Sequence, residues 1–554
     1  MRPMLPTGSD AEPLPGPRLR PACCRRRDWL AAVLRGAFAG ASATALLPWL
    51  TAAGGSAAPG VAHAQSPLPA LGDGGDMTLS EERRLGDQIA RAIYRDPAYL
   101  DDAPLHDHLQ RLWQPLFTAA RQRGELPDEL AERYAWRLLL ARDRTVNAFA
   151  LPGGYLGIHL GLIGVTGSAD ELASVLAHEL SHVSQRHIAR LLTRQSQQAP
   201  LVLAAMILGA LAASAARNAD IAGAAIAGGQ AVAAQSQLNF SRDMEREADR
   251  IGLAVLQAAG FDGQGFLGMF DRLQQAARLN DDGSFPYLRS HPLTTERIAD
   301  LRARLPLQAP PGARPDGASG ISATAHAFMA ARARVLADPT PDRLQAHATL
   351  PADIREPDRL YAAVLARAWR RDSVGTVQAL PALRAAAARE ADAKRSASLL
   401  ELEVLLMLHD DPQLPDAQRR ALPERVAWAL EMGQRAGLLL AAQAAPRVPA
   451  DLRQAIDRRL QAWCVQHPHD AGAWSAWAAV LHAQAQPVRA TRAEGEARLA
   501  LLDPAGALDR FRAAQRLARE QGATDLLELS VLDSRARHAE TLLREQLAEA
   551  TQRR

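Results

Sequence analysis

Two histidines and a glutamate in the order His178-Glu179-x-x-His182 are the residues whose spacing most directly implies chemistry. On a helix, residues four apart lie only about 40° apart around the axis, so both imidazoles can reach one ion. Glu179 stands one step round, beside such an ion rather than on it, where its carboxylate can take a proton from a polarised water. A catalytic zinc needs three protein ligands, and two histidines with one carboxylate are an established set. Glu245 is the candidate for the third. In Glu245-Arg-Glu-Ala-Asp249, Glu245 and Asp249 share one helix face while Glu247 points elsewhere. Asp249 is placed to accept the remaining ring N–H of His178 or His182, with a salt bridge to an arginine as the competing role.

Other histidines compete for the ion. His187 would extend the motif only after a glycine bend, and this chain has Gln185 at that place. On a continuous helix His187 lies about 180° from His178 and faces away. His291 precedes Pro292 and so is not a helix-interior residue. Three roles are open to it: hydrogen-bonding an oxyanion, closing the fourth coordination position as a latch, or capping the helix from Thr294 to Leu305. His159 is expected to be structural.

The elements that must position these groups are legible in the pattern. Ser168 and Glu171 have capping-box spacing, and Leu172, Val175, Leu176, Leu180 and Val183 recur at helical period, which predicts the motif helix. A second helix opens in the stretch from Asn239 and runs to Ala259, with Gly260 ending it. Helices are also expected from Leu79 and from His106 to Ala120. Trp136–Ala141, Val146–Leu151 and Tyr155–Ile163 read as strands around a Pro152-Gly153-Gly154 turn, predicting a small antiparallel sheet. Its edge either pairs with an extended substrate backbone or is an ordinary sheet edge.

At about 150 residues per domain, 554 residues make three or four modules. A net charge of +3 leaves no nucleic-acid footprint. Arg25-Arg26-Arg27, an apolar run from Gly36 to Leu50 and Ala62-His63-Ala64 predict a signal peptide over residues 1–64, with Arg26-Arg27-Asp28-Trp29-Leu30 resembling a twin-arginine signal. Cys23 and Cys24 fall inside it, leaving Cys464 alone in the mature chain, so no intramolecular disulfide is expected. The Ala-rich stretch 199–234 reads either as a helical hairpin near the active site or as a peripheral membrane contact. A Pro/Gly linker over 306–320 separates a peptidase domain, 65–305, from a helical domain, 321–554. In the latter, Ala507, Phe511 and Ala514 with Gly495 have tetratricopeptide spacing. A solenoid of such helix pairs presents a concave binding surface.

His178-Glu179-Leu-Ser-His182, Asn147-Ala-Phe-Ala-Leu-Pro-Gly-Gly, Glu245-Arg-Glu-Ala-Asp249 and Ser290-His291-Pro292 together resemble the zinc metallopeptidases related to HtpX and the CAAX prenyl proteases. The resemblance covers roughly Leu79 to Leu305 and is greatest to periplasmic members with C-terminal tetratricopeptide repeats. It agrees with a mainly α fold, in which an α+β zincin-like protease domain with its small antiparallel sheet is followed by an α-helical tetratricopeptide-like solenoid. It implies one Zn2+ per chain on His178, His182 and Glu245, with Glu179 as the catalytic base. It further implies a periplasmic endopeptidase that degrades misassembled outer-membrane proteins and assists their assembly, meeting the β-barrel assembly machinery through its repeats. The alternative is a chaperone or assembly scaffold with latent proteolysis.

Overall fold

Thr78 caps the first helix as its sequence requires. Its hydroxyl accepts from Glu81 N, and the Glu81 carboxylate accepts from Thr78 N at 2.8 Å, closing a capping box. The helix that follows, α1 (Leu79–Tyr94), buries Leu85, Ile89 and Ile93. The computed structural model describes residues 77–194, 242–279, 285–305, 320–351, 354–522 and 525–552. The expected signal segment, the Ala-rich stretch 199–234 and residues 306–319 of the expected linker lie outside them. Among the described residues no helix is long and apolar enough to cross a membrane.

Next in order come β1 (Tyr99–Leu100), α2 (Ala103–Gln122), α3 (Asp128–Arg133), β2 (Arg137–Ala141), β3 (Ala148–Leu151), β4 (Tyr155–His159) and α4 (Leu160–Val165). The expected small sheet is present, in the order β1-β2-β4-β3, but it is mixed rather than antiparallel throughout. β3 folds back on β4 through Gly153 and Gly154, whose φ values of 72° and 83° suit glycine in a tight turn. β4 then slots between β3 and β2, so it runs antiparallel to the first and parallel to the second, pairing Arg137 with Tyr155 and Ala141 with His159. Every residue of β4 is buried, as a central strand requires. β3 is left at the edge, against the motif helix.

That helix, α5 (Ala169–Ser184), starts where Ser168 Oγ accepts from Glu171 N at 3.1 Å. Glu171 itself accepts from Gly167 N at 2.6 Å and from Arg272 Nε at 2.8 Å, which anchors the N-terminus of α5 to its surroundings. At the other end the helix breaks without a glycine. Arg186 adopts φ 53°, a conformation that costs a non-glycine residue about 1–2 kcal/mol. Its guanidinium donates to Glu82 Oε1 at 2.7 Å and also to Met77 O, and the buried Glu82 accepts from Tyr134 OH as well. These contacts hold the break, and the chain restarts in a new direction as α6 (His187–Arg194).

The remaining elements near the motif are α7 (Arg242–Ala258), α8 (Gln264–Leu279), α9 (Pro286–Ser290) and α10 (Thr295–Arg304). Both α7 and α8 pack on α5. The C-terminal region is helical: α11 (Ala323–Ala337), α12 (Pro341–Ala348), α13 (Pro357–Trp369), α14 (Ser373–Ala387), α15 (Ala391–Leu408), α16 (Asp416–Arg420), α17 (Leu422–Met432), α18 (Arg435–Ala444), α19 (Ala450–Gln466), α20 (Ala471–Ala483), α21 (Pro487–Ala500), α22 (Pro504–Glu520) and α23 (Leu526–Gln552). Gly495 on α21 lets the buried Phe511 ring of α22 approach closely; a Cβ there would fall 2.5 Å from the ring.

One apolar core runs from Leu85 to Ala497, and a smaller one gathers Ala507, Phe511 and Leu532. Helix α11 seats on α2 and α4. There Arg332 donates to Asp102 from Nε at 2.8 Å and Nη2 at 2.7 Å, and to Glu403 from Nη1 at 2.7 Å and Nη2 at 2.9 Å. Nearby, His326 Nδ1 lies 3.2 Å from His108 Nε2, and its Nε2 lies 3.1 Å from Thr166 Oγ1.

Candidate metal centre

One helical turn on α5 brings His178 Nε2 within 3.0 Å of His182 Nε2. Helix α7 lies across α5 and delivers Glu245, with Oε1 3.4 Å from His182 Nε2 and Oε2 3.6 Å from His178 Nε2. His291, the residue that ends α9, completes the group: its Nδ1 is 3.0 Å from Glu245 Oε1 and 3.3 Å from His178 Nε2. One ligand atom from each of the four lies within 4.8 Å of the others. Three imidazoles and a carboxylate, all buried, are a donor set that suits a divalent transition metal.

Glu179 supplies a separate indication of fit. Its side chain is 1% exposed, yet neither carboxylate oxygen has a hydrogen-bond partner among the described residues. His291 Nε2 is 3.5 Å from one of them. A buried carboxylate without partners costs free energy unless a ligand satisfies it, so this oxygen pair is arranged for a group beside the four donors.

The groups behind the cluster set its electrostatics. Asp249 Oδ1 lies 3.0 Å from His178 Nδ1, an ion-pair contact bent from ideal hydrogen-bond geometry. Asp249 also receives both Nε and Nη2 of Arg297, at 2.6 and 2.7 Å. Asp249 thus stands between His178 and an arginine, hydrogen-bonded to the arginine. Arg297 reaches further, with Nη1 2.8 Å from Glu245 Oε2 and a hydrogen bond to Pro292 O at 2.9 Å. Burial works against charge on His178, but its contacts with Asp249 and Glu245 hold the proton and push its pKa up to about 9. Burial dominates at His182 and holds its pKa well below the usual range. Burial also opposes charge on Glu245, yet His291, His178 and His182 keep its carboxyl well below the ordinary value. A cation among these donors competes with the proton on His178, because a ligating nitrogen must be unprotonated.

The remaining expectations divide. Thr294 caps α10, its Oγ1 accepting from Arg297 N at 3.2 Å, so His291 is not that cap. His159 is structural, buried with Nδ1 2.8 Å from Thr145 Oγ1. His187 does not turn away from the cluster. The break at Arg186 swings it back until its Nδ1 is 2.8 Å from Nδ1 of His182, where it contacts a candidate ligand without joining the four donors. Glu247 points elsewhere as expected, to His187 Nε2 at 3.1 Å and Arg190 Nη2 at 2.7 Å. Spacing did not reveal Arg297. Its one signal is chemical: two buried carboxylates, Glu245 and Asp249, need a nearby cation.

Residues 109–305 match the family model described as Peptidase family M48. The chain is 33% identical over 252 residues to the beta-barrel assembly-enhancing protease of Escherichia coli strain K12, covering 45% of this chain and 49% of that one. It is 34% identical, with the same coverage, to the protein of that name from Yersinia pestis. It is 28% identical over 210 residues to the mitochondrial metalloendopeptidase OMA1 of Saccharomyces cerevisiae, covering 37% of this chain and 56% of the yeast protein. The match thus spans about half the length of these bacterial relatives.

Proposed function

We propose, on the premise that residues 109–305 are a peptidase M48 domain, that this chain is a zinc-dependent endopeptidase of the bacterial periplasm. The observation that carries the reading is Glu179, buried and without a hydrogen-bond partner among the described residues, beside four convergent donors. His178, His182 and Glu245 would hold the zinc, one per chain. Bound there, zinc supplies Lewis acidity toward the scissile carbonyl and toward a water. Glu179 takes the proton of the attacking water and passes it to the leaving amine. Asp249, fixed by Arg297, orients His178. His291 fills a fourth corner. Its 3.0 Å approach to Glu245 favours a ligand-like latch over an oxyanion donor, and His291→Ala should then raise basal cleavage.

The biological role proposed here follows relatives named for β-barrel assembly. In this reading the peptidase domain, 65–305, degrades misassembled outer-membrane proteins and assists their assembly. The helical domain, 321–554, selects substrates and meets the assembly machinery through tetratricopeptide-like repeats. The alternative, a chaperone or scaffold with latent proteolysis, places the main function in the helices. Zinc measured on purified protein tests the site: close to one ion per chain is expected, and Glu245→Ala should lose most of it. Undiminished zinc in that variant would remove Glu245 from the ligand set. A Glu179→Gln chain that fully restores the envelope phenotype of a deletion strain would favour the scaffold.

A further inference from the structure

His178 and His182 each turn Nε2 inward, and their outward nitrogens are met differently. Behind His178 stands a carboxylate, Asp249. Behind His182 stands a second imidazole, His187, with the two Nδ1 atoms 2.8 Å apart and the rings inclined at 75°. His187 Nε2 in turn lies 3.1 Å from Glu247 Oε2, an oxygen that also accepts from Arg190 Nη2 at 2.7 Å. We infer that His187 is a positioning residue for the metal site, linking the Glu247 carboxylate to His182 through two imidazoles in series.

The inference rests on reading His182 as a metal ligand, and the proton positions follow from that. A neutral imidazole that offers Nε2 to a cation keeps its proton on Nδ1. That Nδ1–H donates to His187 Nδ1, which must therefore be bare. The His187 proton then sits on Nε2 and donates to Glu247. The reverse assignment would place a proton on His182 Nε2, inside the cluster and against the cation. The relay thus selects the tautomer of His182 that ligation requires, and it fixes the ring plane. Second ligand-supporting partners of this kind are as much a part of a metal site as the ligands. The chain delivers His187 through the break at Arg186, which Glu82 pins from α1.

The test measures zinc affinity of the full-length chain by chelator competition, together with the absorption spectrum of the cobalt(II) form and the melting of each metal-free protein. Three variants are compared: His187→Leu, which removes the acceptor; His187→Asn, whose side-chain oxygen can replace Nδ1; and Glu247→Gln. Glu247 is 31% exposed, so its replacement does not threaten the fold. His187→Leu should weaken zinc binding about 10–100-fold and shift the cobalt bands. His187→Asn should recover most of the affinity and the wild-type spectrum, and Glu247→Gln should lose several-fold. The relay is overturned if His187→Leu binds zinc as the wild type does, or if His187→Asn is as weak as His187→Leu. An unchanged affinity and spectrum in Glu247→Gln would overturn the carboxylate end. A wild-type chain that takes up no zinc defeats the metal reading and the relay together. Zinc lost in His182→Ala but fully kept in His187→Leu defeats the relay alone.

Discussion

Two buried charge clusters in this chain are built from the same residue types and finished differently. At Arg332, four N–H···O contacts of 2.7 to 2.9 Å join the guanidinium to Asp102 and Glu403. At the motif helix, Arg297 likewise grips Asp249, but neither oxygen of the neighbouring Glu179 has a hydrogen-bond partner among the described residues. The first cluster is complete within the protein and joins the C-terminal helices to α2. The second leaves the Glu179 carboxylate without a hydrogen-bond donor among the described residues, beside four convergent metal-ligating side chains. The difference teaches that buried charge alone does not mark a candidate site; what distinguishes this one is an unsatisfied carboxylate beside convergent metal donors.

The contrast can be broken at either cluster. Glu179→Gln should have the largest effect, lowering peptide cleavage about 10²–10⁴-fold with zinc content unchanged. Cleavage within tenfold of wild type would show that the unsatisfied carboxylate is not the proton carrier. Arg332→Met leaves the buried Asp102 and the half-buried Glu403 without this counter-charge, and should cost about 3–5 kcal/mol in denaturant unfolding while sparing zinc affinity in the folded protein. A stability loss with an equal loss of zinc affinity would mean that the two clusters are not separate. Asp249→Asn should act the other way round, weakening zinc about 10–100-fold.

The smallest effect concerns a network closed around neutral groups. Burial pushes the pKa of His326 down from 6.5 to about 4, and that of His108 well below its usual range. The folded chain therefore keeps His326 neutral at pH values where the unfolded chain protonates it. Its contribution is complete above pH 6.5 and is lost as pH falls toward 4, at about 1.4 kcal/mol per pH unit for one proton. Urea midpoints between pH 7 and 4.5 should show this slope, and His326→Gln should flatten it by one proton. An unchanged slope in the variant would place the titration elsewhere.

What the sequence revealed was what short-range periodicity and spacing control. The Ser168 cap, the helix beyond it and the shared face of Glu245 and Asp249 are local properties, and they are found where expected. His178, His182 and Glu245 lie together as their spacing on two helices implied, whereas His291, for which three roles were open, is found beside them. Long-range properties were hidden. The parallel pairing of β2 with β4 depends on which strand takes the centre of the sheet, and alternation of residues says nothing of that order. The break at Arg186 was missed because a left-handed arginine has no local signature; it is held by Glu82, about a hundred residues earlier in the chain. His187 was misdirected for the same reason. Arg297 was invisible because its partners lie on another helix.

Helix α7 has a consequence for descent. Glu245 turns to the four-donor cluster, Glu247 to His187 and Arg190, and Asp249 to His178 and Arg297. Glu245 and Asp249 thus share one face and the partners His178 and Arg297, while Glu247 addresses His187 and Arg190 from another, and the phase around the helix keeps the two faces apart. Inserting or deleting one residue between Glu245 and Asp249 would rotate one end against the other by about 100° and shift it by about 1.5 Å. Substitution on the outer face of α7 leaves that phase intact. Lineages that retain the site should therefore show α7 varying in composition while holding its length, with insertions and deletions excluded from the turn that carries the three carboxylates.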